Sequence, residues 1–315
     1  MAETWDFIVI GAGSAGCVLA NRLSESGRHR VLLLEAGGSD LNLWIWMPIG
    51  YGKTFFDPRV NWMYRTEPDP NLNGRVSYWP RGKVLGGSSS INAMVFIRGQ
   101  PRDFEDWKAA GNPGWGWDDV FPVFRRMETN DRGADPWRGG DGPLHVATMD
   151  RDLHPLCDTF IEAAEALQIP RNPDFNGATQ EGVGTYQNTA RDGMRMSAAR
   201  AYLRPARRRR NLAVESRCLA TRLLFEGGRV CGVEDLRHGR RVQARARGEV
   251  IVSAGAINAP QLLQLSGIGP AGLLRDKGIA VVRDAPGVGR NLQDHFCADF
   301  IYRCRVPTLN QQLGP

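Results

Sequence analysis

Three glycines near the start of the chain have the spacing of a phosphate-binding loop. Gly11, Gly13 and Gly16 form a Gly-x-Gly-x-x-Gly pattern, and Glu35 follows nineteen residues after the last of them. In this pattern the first glycine permits a tight turn, the second lets the backbone approach a pyrophosphate, and the third allows close packing of a helix on a strand. A carboxylate at position 35 could accept hydrogen bonds from ribose hydroxyls and disfavours a 2′-phosphate. These residue types therefore predict a dinucleotide site for a ligand other than NADP.

The residues around this loop have the pattern of a strand–helix–strand unit. Residues 6–10 (Asp-Phe-Ile-Val-Ile) and 31–34 (Val-Leu-Leu-Leu) are short apolar runs, which are typical of strands buried in a parallel sheet. The segment between them is helical in pattern, with Val18, Leu19 and Leu23 able to pack on the sheet. The N-terminus of such a helix offers N–H groups and a positive dipole end to phosphates. The pattern alone does not separate NAD from the ADP half of FAD.

The composition is that of a globular protein of about two domains. The chain has 315 residues, of which 42% are hydrophobic and 23% charged, and a domain usually has roughly 100–200 residues. No run approaches the roughly 20 apolar residues of a membrane-spanning helix. The first residues lack the basic flank and cleavage site of a signal peptide. We therefore expect a cytoplasmic protein with no membrane span.

The net charge of +6 does not by itself indicate a nucleic-acid partner. Only four of the 40 basic residues are lysine, which we interpret as a coding preference for arginine. The densest basic run, residues 204–210, has no interleaved aromatic residues, so we interpret it as solvated and expect no nucleic-acid binding. No two of the six cysteines form a Cys-x-x-Cys pair, which predicts reduced, buried thiols and no metal site.

Two later segments favour FAD over NAD. Residues 39–80 are irregular and rich in tryptophan and proline, whereas an NAD enzyme of this fold would continue with regular strand–helix units. Residues 81–99 carry two adjacent glycines and three serines before a helix-capable run, and could wrap amides and hydroxyls around an anion or a ring nitrogen. Residues 249–255 predict another buried strand, and residues 256–265 predict a helix with one apolar face. The sheet would collect its strands from distant parts of the chain.

Together these blocks resemble the glucose–methanol–choline (GMC) family of flavin-dependent oxidoreductases, in particular its choline and alcohol dehydrogenases. Residues 6–37 are similar to the ADP-binding start of the family, and residues 81–98 and 255–270 are similar to its two signatures. Residues 287–295 (Gly-Val-Gly-Arg-Asn-Leu-Gln-Asp-His) are similar to a further family segment. The blocks occur in family order over nearly the whole chain.

The resemblance implies an α/β fold with a discontinuous domain organisation. A Rossmann-like FAD-binding domain would be assembled from residues 1–150 and 205–295. The remaining segments, residues 151–204 and 296–315, would form an incomplete α+β substrate domain. The alternating residues 296–302 predict a half-buried strand, which looks like the first strand of the family's substrate-domain sheet.

The resemblance also implies FAD, and it implies individual contacts for it. The glycine loop would meet the pyrophosphate, Glu35 the adenosine ribose, and Trp62 and Ala220 the adenine side. Some family members attach the flavin through a histidine in the first signature, where this chain has Ile91, so we expect noncovalent FAD. The implied cofactor-binding residues are Gly11, Gly13, Ser14, Ala15, Gly16, Glu35, Trp62, Val84, Gly87, Asn92, Ala93, Met94, Val95, Ala220, Ala254 and Gly255.

The activity implied by the resemblance is oxidation of the CH–OH group of a small alcohol. Hydride would go to flavin N5, and the electrons would then pass to oxygen or another acceptor. The family uses a histidine near its C-terminus to remove the hydroxyl proton. None of the five histidines of this chain stands at that position, and His295 belongs to a different family segment. We therefore assign no catalytic residue, and expect the base to come from a C-terminal segment outside this chain.

Three interpretations of the missing base stay open. The chain could be one piece of a two-chain enzyme whose complementary C-terminal polypeptide supplies the base. It could be a shortened gene product. It could instead be a catalytically silent protein that binds flavin or a partner. The sequence identifies neither the alcohol nor the electron acceptor.

Overall fold

The computed structural model describes residues 3–149, 153–295 and 297–309. Its contacts divide the chain into two units, of which the first contains residues 1–94 and 190–292. The second contains residues 95–189 and 293–315. Within the described ranges, no helix is both long and apolar enough to cross a membrane.

The helices and strands have the following bounds. The helices are α1 (Ser14–Ser24), α2 (Leu43–Trp46), α3 (Tyr51–Thr54), α4 (Pro101–Ala109), α5 (Trp117–Met127), α6 (Pro155–Ala166), α7 (Arg204–Ala206), α8 (Gly255–Leu265) and α9 (Ala271–Asp276). The strands are β1 (Thr4–Ile10), β2 (Val31–Glu35), β3 (Tyr64–Arg65), β4 (Tyr78–Trp79), β5 (Val95–Phe96), β6 (Glu128–Asn130), β7 (Leu144–Val146), β8 (Gln187–Asn188), β9 (Ala190–Arg191), β10 (Met194–Arg195), β11 (Leu212–Ser216), β12 (Cys218–Glu226), β13 (Arg229–Arg237), β14 (Arg240–Val252), β15 (Ile268–Gly269) and β16 (Arg283–Asp284).

A six-stranded sheet forms the centre of the first unit, in the order β11-β2-β1-β14-β13-β12. The first four strands run parallel to one another, whereas β13 is antiparallel to both β14 and β12. Ile10 pairs with Leu34 on one side and with Val252 on the other. The carboxyl ends of β1, β2 and β14 therefore meet at one edge of the sheet. The α/β fold with a sheet gathered from distant segments, predicted from the sequence, is confirmed.

One core cluster of this unit lies on the face of the sheet that α8 covers. Ile8, Ile10, Leu32 and Leu34 are almost completely buried and pack in one cluster with Leu262 of α8. All five residues of β2 are buried, because α1 packs against this strand and α8 contributes Leu262 to the cluster around Leu32 and Leu34. Apolar burial of this kind is the main force that holds the sheet together. The same packing holds the carboxyl ends of β1, β2 and β14 in place beside one another.

The second unit is built from short elements around a buried ion pair. Arg98 and Glu128 are both nearly inaccessible, and the Arg98 Nη2 donates to the Glu128 carboxylate. The Arg98 Nη1 also donates to the Trp137 carbonyl at 2.7 Å, and Asn130 Nδ2 donates to Glu128 Oε1 at 2.7 Å. Three phenylalanine rings lie 5.8–5.9 Å from the guanidinium carbon. Burial lowers the pKa of Arg98 and raises the pKa of Glu128.

The observed units differ from the predicted domains at three segments, the shortest of which is residues 293–295, predicted in the FAD-binding domain but grouped with the second unit. The sequence assigns residues 95–150 to the FAD-binding domain, but they group with the second unit, because β5 pairs with β8. Residues 190–204 group with the first unit instead of the substrate domain, because Asn21 Nδ2 of α1 donates to the Tyr202 carbonyl at 2.7 Å. Short pairings and single hydrogen bonds leave no hydrophobic pattern in the sequence, so these boundaries could not be read from it.

The predicted strand over residues 296–302 is wrong for the residues that the structure describes. Residues 297–302 form no strand, and residue 296 lies outside the described ranges. Phe300, Ile301 and Tyr302 are 75%, 95% and 67% exposed. An alternating segment forms a strand only when a neighbouring strand supplies its hydrogen bonds, and none of the described strands does so here.

Candidate dinucleotide site

The glycine loop joins the end of β1 to the start of α1. Gly11 has a φ of +96°, and its N–H donates to the Leu34 carbonyl at 2.8 Å. A Cβ on Gly11 would lie 2.7 Å from the carbonyl oxygen of Ser253, directly after β14. A Cβ on Gly16 would overlap the carbonyl oxygen of Gly11. The loop is therefore enclosed by three elements, and only glycine fits at these two positions.

The N-terminus of α1 presents hydrogen-bond donors. Gly13 precedes the helix, no side chain caps it, and the first turn has no acidic residue. The first N–H groups of a helix have no partner within the helix, and the helix dipole is positive at this end. Gly13, Ser14 and Ala15 line one cavity. This arrangement can bind a phosphate group.

Glu35 is the last residue of β2 and is 5% exposed. The N–H of Ala12 donates to its Oε2 and the N–H of Gly37 donates to its Oε1, both at 2.8 Å. Burial raises the pKa of the Glu35 carboxyl, while the two amides and the positive charge of Lys83 act in the opposite direction. The carboxyl is thus fixed beside the glycine loop, on the cavity wall, where it can accept hydrogen bonds from hydroxyl groups.

The turn at Gly86 and Gly87 closes against the glycine loop. The Gly86 N–H donates to the Ala12 carbonyl at 2.7 Å. Gly87 has a φ of +54°, and a Cβ on it would lie 2.6 Å from the Gly13 Cα. The N–H of Gly82 donates to the Ser88 hydroxyl at 3.1 Å. The two glycine-rich segments therefore touch backbone to backbone.

Trp62 forms another part of the wall. Trp62 and Tyr64 stack with ring centres 5.8 Å apart and 5° between their planes. The Lys83 ammonium group lies 4.6 Å from the centre of the Trp62 ring. Asn258 Nδ2 of α8 donates to the Tyr64 hydroxyl at 2.7 Å. These contacts hold Trp62 in place and connect it to the helix that follows β14.

The cavity bounded by these segments has a volume of about 650 Å³, which is within the usual range for small-molecule sites. Its wall comes entirely from the first unit. The uncapped N-terminus of α1, the Glu35 carboxyl and the Trp62 indole line it. Among the described residues, no cluster of side chains could hold a metal ion.

The comparison with protein families decides among the dinucleotide enzymes. The family model described as GMC oxidoreductase matches residues 5–297.

The chain belongs to the GMC oxidoreductase family.

Curated relatives agree with this assignment. The chain is 46% identical over 316 residues to an oxygen-dependent choline dehydrogenase of Photobacterium profundum. It is 49% identical over 321 residues to the mitochondrial choline dehydrogenase of Mus musculus, and 48% identical over 295 residues to an alcohol dehydrogenase (acceptor) of Pseudomonas putida. These alignments cover 100%, 99% and 93% of this chain, but 56%, 54% and 53% of the relatives. The chain thus spans about half the length of the curated relatives it matches.

Solved GMC structures share the fold. A pyridoxine 4-oxidase from Mesorbium loti superposes with a TM-score of 0.88 at 39% identity, covering 92% of this chain and 57% of that chain. A formate oxidase of Aspergillus oryzae RIB40 gives a TM-score of 0.85 at 28% identity, covering 93% and 53%. FAD is the cofactor of the GMC family. The residues of the cavity fit FAD, because the close approaches at Gly11 and Gly87 leave bare backbone facing the cavity beside an uncapped helix.

The structure brings ten of the sixteen predicted cofactor-binding residues together in the cavity wall. They are Gly11, Gly13, Ser14, Ala15, Glu35, Trp62, Gly87, Ala220, Ala254 and Gly255. The other six lie outside the wall. Gly16 packs against Gly11, and Val84 is fully buried in a small cluster with Ile45, Val60 and Ile91. Asn92, Ala93, Met94 and Val95 follow the turn at Gly87 without lining the cavity.

Several wall residues were missed by the sequence reasoning. Arg81 and Ser88 belong to the first signature block, and Asn258 and Gln261 belong to the second, so their positions inside the blocks could have indicated them. Cys218 also lines the cavity. Nothing in its local sequence points to a site, because it is the first residue of an ordinary strand.

None of the five histidines lines the cavity, and all five lie in the described ranges. The His29 ring packs edge-on against Phe7, 5.2 Å between centres. His154 Nδ1 accepts a hydrogen bond from the Leu156 N–H at 3.2 Å and so caps α6. The cavity of this chain therefore contains no imidazole that could accept a proton.

The cysteines differ in exposure, which corrects the expectation that all six are buried. All six are free thiols, and Cys297 and Cys304 are exposed. Burial raises the pKa of Cys17 to about 12 and that of Cys218 to about 11.

We expect Cys297 and Cys304 to react with iodoacetamide first at neutral pH, and Cys17 and Cys218 last, because the thiolate is the reactive form. Peptide mass spectrometry of timed samples measures the order, and urea-unfolded protein is the control in which all six react alike. FAD is expected to slow the labelling of Cys218 further, since this residue lines the cavity. Labelling of native Cys17 as fast as Cys304 would contradict the buried environment of α1.

Proposed function

We propose that this chain is the cofactor-binding part of an FAD-dependent oxidoreductase that acts on the CH–OH group of a small alcohol. The cavity carries the proposal, since the first glycine loop, Glu35, the turn at Gly87 and the end of β14 converge on it. The names of the relatives, which are choline and alcohol dehydrogenases, support the substrate class. Choline is therefore the first alcohol to test.

The sixteen residues predicted from the sequence would hold the cofactor. The N–H groups at the start of α1 would bind the pyrophosphate, and Glu35 would accept hydrogen bonds from the adenosine ribose. Trp62 and Ala220 would contact the adenine side. The exposed Asn92 and the residues up to Val95 would meet the flavin, beyond the cavity wall at Gly87.

Bound FAD would supply the acceptor for the hydrogen that leaves the alcohol carbon as hydride. This chain binds and orients that acceptor, and its buried strand ends exclude water from one side of it. The hydroxyl proton needs a base, and no histidine of this chain lines the cavity. We propose that a segment outside this chain, on the same protein or on a complementary C-terminal polypeptide, supplies it. We also propose a cytoplasmic location, which the six free thiols support.

A catalytically silent flavin-binding or partner-binding protein is the second candidate. The absence of an imidazole from the cavity wall favours it, and so does the exposed apolar run Phe300–Tyr302, which a partner could cover. The two candidates differ in whether an alcohol reduces the bound flavin.

An anaerobic titration tests the proposal. The purified protein is reconstituted with FAD, titrated with choline and a panel of alcohols, and then exposed to oxygen. Bleaching of the flavin by an alcohol supports the oxidoreductase, and recovery in air identifies an oxidase. Mass spectrometry of the native sample shows whether a second polypeptide accompanies the chain. FAD binding without any bleaching, in a sample with no second polypeptide, supports the silent protein.

All of the flavin is expected to leave the polypeptide when the holoprotein is denatured with acid. The reason is that Ile91, an alkyl side chain that is 2% exposed, stands where some family members have the linking histidine. Visible absorbance of the supernatant measures the released flavin. Flavin fluorescence that stays with the polypeptide on a denaturing gel would contradict noncovalent binding.

A further inference from the structure

Arg195 is a buried cation behind the first signature. The residue is 2% exposed. Its Nε donates to the Ile45 carbonyl at 2.8 Å, and its Nη1 donates to the Ser89 carbonyl at 3.2 Å and to Asn92 Oδ1 at 2.8 Å. Its Nη2 is buried and has no hydrogen-bond partner among the described residues. One guanidinium group thus joins α2 to two points of the turn between Ser89 and Asn92.

The positive charge of Arg195 is not compensated within the described chain. Arg98, which is similarly buried, has the carboxylate of Glu128 as its partner. Burial lowers the pKa of the Arg195 guanidinium to about 10, and no opposite charge counteracts this effect. Burial of a cation without a counter-charge is costly in free energy. The three hydrogen bonds of the guanidinium group offset part of this cost, and a ligand that brings negative charge would offset more of it.

The turn that Arg195 holds leads from the cavity wall to an exposed surface. Gly87 lines the cavity, whereas Asn92 and Ala93 are exposed. Asn92 Oδ1 accepts a second hydrogen bond, from the Met94 N–H at 3.1 Å. Met94 has a φ of +64°, which is an uncommon conformation for a residue with a side chain. Arg195 therefore donates to Asn92 Oδ1, the same atom that accepts a hydrogen bond from Met94 and holds the conformation of this exposed turn.

We propose that Arg195 is a positioning residue for the bound flavin, which holds the turn at Ser89–Asn92 against the cofactor and stabilises its reduced, negatively charged form. This inference rests on the proposed function. Hydride transfer adds two electrons and one proton to the flavin, and so adds one negative charge. A fixed cation close to that charge favours reduction, because it needs no reorganisation when the charge develops. The ligand then supplies the missing counter-charge.

Sulfite binding tests the charge without any substrate. Sulfite adds to oxidised flavin as an anion, so its affinity reports positive charge near the flavin. Arg195→Met is expected to weaken sulfite binding by about tenfold or more and also to weaken FAD binding. Arg195→Lys keeps the charge but cannot make three forked hydrogen bonds, so it is expected to weaken FAD binding while sulfite affinity stays close to that of the unmodified protein. Arg210→Met, which removes an exposed arginine of the same unit, should change neither.

Asn92→Ala removes the acceptor and leaves the charge of Arg195 in place, but Asn92 is itself assigned to the flavin, so this variant is compared with the Arg195→Lys/Asn92→Ala double variant. If Arg195 acts through Asn92, the double variant is expected to bind FAD no more weakly than Asn92→Ala alone, and to keep its sulfite affinity. This comparison keeps the positioning role testable if Arg195→Met does not fold. Equal sulfite affinity in Arg195→Met and the unmodified protein would overturn the charge role. FAD affinity equal to that of the unmodified protein in Arg195→Met, Arg195→Lys and Asn92→Ala would overturn the positioning role. If the unmodified protein itself binds no FAD, the proposed function fails. If it binds FAD and the variants behave identically, only this inference fails.

Discussion

Gly87→Ala is expected to weaken FAD binding by about hundredfold or more. The new methyl group would lie 2.6 Å from the Gly13 Cα, at a position whose φ is +54°. Backbone strain and overpacking each cost roughly 1–3 kcal/mol. The glycine loop can relieve the overlap only by moving, and it would carry the amide donors of Ser14 and Ala15 with it. Fluorescence titration of the apoprotein with FAD measures the loss of affinity, and thermal unfolding measures the loss of stability.

Gly74→Ala is the matched control for this substitution. Gly74 also has a positive φ, of +71°, but an added Cβ would meet no heavy atom within 4 Å. The substitution should therefore cost only the conformational strain, about 1 kcal/mol, and should leave FAD affinity unchanged. The proposed contact between the two glycine-rich segments would be refuted by Gly74→Ala and Gly87→Ala proteins that bind FAD equally well.

Arg98→Met is expected to destabilise the protein by about 3–5 kcal/mol at neutral pH. It leaves the Glu128 carboxylate buried without its cation, since both side chains of the pair are nearly inaccessible. Burial already raises the pKa of Glu128, and removal of the cation raises it further. A folded state with a raised carboxyl pKa binds protons more tightly than the unfolded state, so the loss of stability should be smaller at about pH 5 than at about pH 8. Urea unfolding at both pH values measures it.

Arg171→Met serves as the control for the ion pair. Arg171 and Glu165 are 3.3 Å apart in the same unit, but their side chains are 48% and 41% exposed. Water and salt screen such a pair, and its loss should cost less than about 1 kcal/mol with little dependence on pH. A similar cost for the two substitutions would show that burial does not determine the strength of the Arg98–Glu128 interaction.

The parts of the fold that were predictable are those with a strong hydrophobic pattern. The strands predicted at residues 6–10, 31–34 and 249–255 correspond to β1, β2 and the end of β14, since a continuous apolar run suits a strand that is covered on both faces of its sheet. The helix after β14 was predicted for residues 256–265 and occupies Gly255–Leu265. Local pattern and tertiary packing agree in these segments.

Other elements depend on partners that a local pattern cannot show. The helix-capable run after the three serines forms no helix, and its residues Val95–Phe96 pair with β8 as β5. The serines before it form only a short 3-10 helix, Gly87–Ser90, in which Ser89 Oγ and Ser90 Oγ donate to the carbonyls of Gly86 and Leu85. Such bonds compete with helical ones.

The residues of the site also divide into those that a local sequence pattern indicates and those that depend on distant contacts. Gly11, Gly13 and Glu35 have tasks that only certain residue types can perform, so the sequence indicates them directly. The sequence did not indicate Arg195, because in an arginine-rich chain nothing in the local sequence distinguishes a buried arginine from an exposed one. Its environment arises from Ile45 and Asn92, which lie about 150 and 100 residues earlier. Contacts of this range exist only in the folded chain.

The central position of β1 sets the order in which this protein can acquire its cofactor. The Ser253 hydroxyl donates to the Ile10 carbonyl across 243 residues of sequence. During synthesis β2 emerges soon after β1, but β14 emerges only when most of the chain has been made, and until then one edge of β1 is open to wrong pairing. Contacts so distant in sequence also form slowly. Cofactor capture must therefore follow translation of β14, and the yield of holoprotein depends on how long the half-built sheet stays soluble.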